Sequence, residues 1–312
     1  MDSRDIREIP PTLSDFRYLE EIFKLQKGLL ENYIGIEGLP QYPLNVNTRQ
    51  SQTLLKDFTS RVVEELAEGY ESLELLSSLA MESQLFIDAG YDPKVTKSFI
   101  MALNHLQNAS EEMADALHFF TELLIYANIQ PDDIKSWMFK YMGDNKIENQ
   151  DILETIERDT LQGAMRLGAV LQAKYNRFFA ESHILPSSTI SLLEIYNRTE
   201  ETEPLDPNYI PEYDLKLLNI GSIYNEELYY HYKALLWTVT YSLNLARNFL
   251  RNKPWKQSQV LTNEVAYQSK LVESFVLMMG AFYFMGVRYS YDLFYIYFKK
   301  NKVNQFRQKS KY

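Results

Sequence analysis

A chain of 312 residues without cysteine cannot be a disulfide scaffold, and it offers neither thiolate zinc ligands nor a thiol nucleophile. Its 42 acidic residues against 32 basic ones leave a net charge of −10, which argues against general nucleic-acid binding, while 46% hydrophobic residues exclude an intrinsically disordered chain. Four histidines, none paired at ligand spacing, speak against a histidine zinc site as well. Glycine and proline number only 11 each, and apolar residues recur at helical spacing rather than alternating. The periodicity predicts helices over roughly 15–35, 52–81, 98–128, 131–142, 150–182, 189–198, 223–252, 262–286 and 290–303, an all-α bundle.

The strongest break is TEETEPLDPNYIPEY (199–213), with three prolines and five acidic residues. Pro204, Pro207 and Pro211 each remove a backbone donor, so this stretch reads as a linker. It divides the chain into a helical half 1–198 and a second half 214–312. The two halves are either degenerate copies of one unit or unrelated helix pairs: aligning Asp115 with Glu273 sets Trp137 opposite Tyr295 without a gap. Met1 to Pro10 is charged and lacks the apolar core of a secretory leader. The most membrane-like stretch, Leu271 to Val287, contains Glu273 and is short for a span, so it reads as a buried helix. The expectation is a soluble, cytoplasmic protein without a membrane or nucleic-acid partner.

Two helical segments carry acids in unusual positions. VVEELAEGYE holds Glu64, Glu65 and Glu68; ASEEMADALHFF holds Glu111, Glu112 and Asp115. Glu65 and Glu68, like Glu112 and Asp115, stand three apart, so each pair leaves its helix on one side. At 100° per residue, Glu65 falls on the stripe of Leu54 and Phe58, and Glu112 on that of Ala116, Phe119 and Leu123. Glu111, Glu122 and His118 fall on a polar side, where His118 is expected to be exposed or to act behind the acids. A carboxylate facing a core costs several kcal/mol or takes up a proton. Two Mg²⁺ ions would balance four such acids with the hard oxygen ligands that magnesium prefers. Either motif alone more often marks a solvated face; two on consecutive apolar stripes suggest a metal site.

The C-terminal segment YFKKNKVNQFRQKSKY has six basic residues and no acid from Lys299 to Lys311. Lys300, Asn304 and Arg307 share one helical face and suit phosphate oxygens, although a solubilising tail would have the same charge count.

Together, EELAE followed by EEMADALHFF resembles the ExxE…ExxD metal signature of the all-α nucleoside triphosphate pyrophosphohydrolases, the superfamily of MazG and the dimeric dUTPases. The tail is similar to the last motif of the dimeric dUTPases and of related phage dUTP and dCTP pyrophosphatases: Lys300, then Asn304, Arg307 and Tyr312. The resemblance implies that Glu65, Glu68, Glu112 and Asp115 hold Mg²⁺, with Glu65 as the catalytic base. Lys300, Asn304, Arg307 and Tyr312 would grip triphosphate and sugar. It further implies hydrolysis of a deoxynucleoside triphosphate, preferably dUTP, to the monophosphate and pyrophosphate, by a homodimer or an intramolecular pseudo-dimer. Three departures stand out. The family's Trp-Lys element has its counterpart only in the second half, at Pro254-Trp255-Lys256, where Trp255 is either a lid on the nucleotide or a core anchor. Of the early Gln…Asn pair that reads the base, Gln26 fits but Leu29 stands three residues on. Asp88 to Lys97 looks like an inserted turn between the two acidic motifs. Base specificity therefore stays open between dUTP and dCTP or a modified pyrimidine. A non-catalytic helical protein that binds a nucleotide or a partner is the alternative of a different class.

Overall fold

The computed structural model describes residues 6–90, 97–181, 226–252 and 260–310. The linker 199–213, the helix expected over 189–198, Trp255, Tyr312 and most of the turn expected before Lys97 lie outside them. The fold is all-α, and among the described residues there is no strand. The helices are α1 (Tyr18–Glu37), α2 (Arg49–Asp88), α3 (Lys97–Tyr126), α4 (Pro131–Asp144), α5 (Gln150–Arg158), α6 (Thr160–Glu181), α7 (Glu226–Asn248), α8 (Glu264–Phe284) and α9 (Ser290–Ser310).

Local chemistry sets several of the boundaries. Gly38 ends α1 in the left-handed region at φ 69°, a conformation open to glycine at little cost. Pro131 opens α4 behind a capping box between Gln130 and Asp133. Asn149 and Asn263 cap α5 and α8, accepting from the Ile152 and Ala266 amides at 3.1 and 3.0 Å. The single helix expected over 150–182 is instead two. Asp159 leaves helical geometry and its Oδ1 accepts from the Gln162 amide at 3.0 Å, so it caps α6, while its Oδ2 accepts from Ser290 Oγ at 2.5 Å. A short polar side chain that can bond backbone amides competes with the helix, which periodicity alone does not register.

Helices α2 and α3 form a long antiparallel hairpin, α7 and α8 a second pair, and α6 crosses α8 closely. The crossing depends on two glycines. A Cβ on Gly168 would lie 2.0 Å from the Val276 carbonyl oxygen, and one on Gly280 would lie 2.2 Å from the Gly168 carbonyl. Along α8 the buried residues run from Leu271 and Val272 through Ser274 to Phe284, on every face of the helix. Among the described residues, no helix is long and apolar enough to cross a membrane. One hydrophobic cluster joins both sides of the linker, from Tyr18, Phe58 and Phe120 to Phe275, Phe282 and Phe294. Helix α9 completes the arrangement by packing back on α1 and α3, which brings the C-terminal residues beside the acidic motifs.

Candidate active site

The α2–α3 hairpin presents the acids. Glu65 stands between the buried Val62 and Leu66, and Glu112 and Asp115 flank the buried Met113 and Ala114. Packing of these apolar neighbours turns the carboxylates toward the opposite helix. One oxygen from each of Glu65, Glu112 and Asp115 lies within 4.8 Å of the others. Glu68 is not brought into this trio. It is exposed, although its charge helps to raise the pKa values of Glu65 and Glu112.

The electrostatics are those of a site with too much negative charge. Burial, then the Asp115 charge and a hydrogen bond with Glu112, push Glu65 up to about 8. Two carboxyl groups can be hydrogen-bonded only if one holds a proton, and the bond raises Glu65 while lowering Glu112, so the proton sits on Glu65. Burial raises Glu112 and Asp115 as well; for Asp115 the nearby Lys300 and Arg307 cations offset only part of the effect. Hard oxygens from three side chains are a donor set suited to Mg²⁺ or Mn²⁺. A trio that must keep a proton near neutrality fits such an ion, because a divalent cation would remove the need for it.

Lys300, expected to grip a triphosphate, is engaged differently. Its ammonium lies 2.7 Å from Asp115 Oδ2 and 3.0 Å from Glu111 Oε2, with the residue 4% exposed. Burial disfavours its charge, but the two carboxylates outweigh that and raise its pKa, so it is a fixed internal counter-ion. The reason is the register of α9, which packs Lys300 against α3 and leaves Asn304 and Arg307, one and two turns on, to face open space.

That space is a cavity of about 240 Å³. Glu65, Asp115, Asn304 and Arg307 line it together with Gln26 from α1. Five residues singled out in the sequence, separated by up to 281 positions, thus meet around one cavity. Arg61, His118, Phe119 and Glu122 also line it. Arg61 was not anticipated, although it stands one turn before Glu65 on the same helix; its guanidinium lies 5.2 Å from the Phe58 ring centroid and 5.7 Å from that of Phe119.

The polar side expected for α3 is corrected by the structure. His118 and Glu122 are only 4% and 6% exposed, because α1 and α9 pack over that side of the helix. His118 lies flat on the ring of Tyr297, with centroids 4.0 Å apart and planes at 11°. Burial pulls its pKa down to about 3, so the imidazole is neutral. Tyr297 is a second residue that sequence reasoning missed; its only signal was its position one turn before Lys300. Compared with protein family models, curated proteins and solved structures, the chain has no match.

Proposed function

We propose that the protein is a Mg²⁺-dependent deoxynucleoside triphosphate pyrophosphohydrolase, with dUTP as its preferred substrate and dUMP and pyrophosphate as products. One observation carries the reading: two members of a three-carboxylate cluster, Glu65 and Asp115, line the same cavity as Arg307 and Asn304, with the buried amide of Gln26 on its wall. Acids at one place and phosphate-binding groups at another are what transfer of a phosphoryl group to water requires.

Glu65, Glu112 and Asp115 would hold the divalent cation, with Glu68 one turn beyond as an outer carboxylate. Bound Mg²⁺ supplies Lewis-acid polarisation of phosphate oxygens and a lowered pKa for a coordinated water. Arg307 and Asn304 bind the phosphate chain, the guanidinium through paired N–H donors. Glu65 takes the proton of the attacking water. With the cation in place of its proton, Glu65 would be an ionised carboxylate able to accept one. The water oxygen forms the new bond to phosphorus, the bridging P–O bond breaks, and the electron pair leaves on pyrophosphate. Lys300 stays in place throughout and limits the repulsion among the acids.

Pyrophosphate release from dUTP and the four standard deoxynucleoside triphosphates, with Mg²⁺ or with EDTA, tests the reading. Release from dUTP that EDTA abolishes is expected. Faster release from dCTP would move the base assignment, and no release from any of the five would leave a non-catalytic binding protein.

A further inference from the structure

Lys300 lies 2.7 Å from Asp115 and 3.0 Å from Glu111, which hold it away from any phosphate. Among the described residues, two cations remain on the cavity wall, Arg307 on α9 and Arg61 on α2. Arg61 belongs neither to the acidic motifs nor to the C-terminal one, so its place there comes from this chain's own packing.

Three features make Arg61 a ligand rather than a staple. Its only ion partner among the described residues is Asp57, one turn earlier on α2, whose carboxylate accepts from Nε at 3.2 Å. The Asp57 side chain is 53% exposed, and an exposed pair at this spacing contributes little. Asp57 takes one of the five guanidinium N–H donors, and among the described residues nothing is bonded to the terminal amino groups. Second, Phe58 and Phe119 steady the group. Its central carbon lies 5.2 and 5.7 Å from their ring centroids, and Phe58 is fully buried. Contact with aromatic rings orients a guanidinium without occupying its donors or supplying an opposite charge. Third, the helix sets Arg61 beside the acids. Arg61 and Glu65 stand four apart, which leaves about 5–6 Å between their Cβ atoms, and both line the cavity that Asn304 and Arg307 line from α9.

We infer that Arg61 is a second phosphate-chain arginine: its terminal amino groups bind phosphate oxygens from α2 while Arg307 binds them from α9, in place of the engaged Lys300. This rests on the pyrophosphohydrolase reading and adds to it a ligand that none of the sequence motifs contains. A multiply charged phosphate chain competes well against one exposed carboxylate for a guanidinium. Two such groups on separate helices then bracket the charge that builds up on departing pyrophosphate.

The test is calorimetric titration of the full chain with inorganic tripolyphosphate in excess Mg²⁺, which needs neither a base nor turnover. Arg61→Gln is expected to weaken binding about tenfold or more, the usual effect of losing hydrogen bonds to a charged group, and Arg307→Gln by a similar factor. Arg61→Lys should recover only part of the loss, since an ammonium keeps the charge but not the paired donors. The ligand-free thermal midpoint of Arg61→Gln should move by no more than about 3 °C, because only an exposed pair and ring contacts are lost. Binding by Arg61→Gln within about twofold of the unmodified chain would overturn the proposal, whatever its midpoint. Full recovery in Arg61→Lys would do the same, as would an unmodified chain that does not bind tripolyphosphate. Weakened binding in Arg307→Gln alone would overturn it while sparing the hydrolytic reading. Binding that needs both arginines, without pyrophosphate release from any nucleotide, would leave the proposal standing and remove that reading instead.

Discussion

Asp115 with Lys300 and Glu273 with Lys270 pair the same kinds of residue in two parts of the bundle, each ammonium within 2.8 Å of its carboxylate. Around Glu273 the charges close. Lys270 lies 2.8 Å from Glu273 and 3.1 Å from the Tyr175 hydroxyl, and Tyr175 donates to the same carboxylate, so one negative charge meets one positive charge and a phenol. Around Asp115 they do not. Lys300 is shared with Glu111, while Glu65 and Glu112 face each other across a proton. A structural ion pair needs one cation per acid; the α2–α3 cluster keeps more acids than its lysine can neutralise, at a cost to stability. Surplus charge of this kind is what distinguishes a site from a staple.

Substitution of one glutamate from each cluster breaks the comparison most directly. Glu65→Gln is expected to slow pyrophosphate release by about 10²–10⁴-fold, the usual worth of a positioned base. Its thermal midpoint in EDTA should be unchanged or higher, since the amide can donate to Glu112 without the proton that Glu65 must hold. Glu273→Gln should do the opposite, costing about 2 kcal/mol of stability through weakened charge-assisted bonds while leaving turnover within about twofold, as for a site that shares no partners with the cavity. A pyrophosphate assay and thermal melts of both variants read the two signs, and matching signs would erase the distinction.

The lysines sharpen it. Lys300→Met leaves Asp115 and Glu111 without their cation, which should cost about 3 kcal/mol in EDTA. Mg²⁺ should restore part of that loss, since an added cation takes over the role of the missing one. Lys270→Met should be destabilised as well, but without recovery in Mg²⁺, because one carboxylate hydrogen-bonded by a phenol is a poor place for a divalent ion. Denaturant melts with and without Mg²⁺ decide between the two behaviours.

How much of this was legible in the sequence differs between fold and site. Helical periodicity located the described helices because the core is built from apolar stripes, and of the stretch Leu271 to Val287, read as a buried helix, the structure shows helix as far as Phe284. It missed the break at Asp159, where one capping side chain outweighs the pattern on either side. In the acidic motifs, spacing singled out Glu65, Glu112 and Asp115, which the structure brings within 4.8 Å of one another, since an acid on an apolar stripe is a local anomaly. The errors came where one helix covers another's polar side. His118 and Glu122 look solvent-facing on α3 alone and are buried once α1 and α9 pack across them. The partners of Lys300 are hidden in the same way: from the sequence its charge is visible, but not that it pairs with Asp115 and Glu111.

The surplus charge should also appear in the pH dependence of stability. Glu65 is raised from the ordinary glutamate range to about 8, so between those values the native state holds a proton that the unfolded chain has lost. Stability then falls as pH rises through that interval. His118 works the other way: with its pKa lowered to about 3, it is neutral in the native state while the unfolded chain takes up a proton, so its contribution grows with pH up to about 6.5. Below pH 6.5 the two slopes oppose each other; between about pH 6.5 and 8 that of His118 is spent and that of Glu65 continues. In EDTA, the unfolding free energy should decline across that interval by less than about 1.4 kcal/mol per pH unit, the limit for one proton. Glu65→Gln should flatten the decline, Glu273→Gln should leave it intact, and Mg²⁺ should abolish it by displacing the proton. A wild-type profile in EDTA that is level or rising from pH 6.5 to 8 would mean that the α2–α3 acids are already neutralised, and the contrast with the Glu273 cluster would be lost.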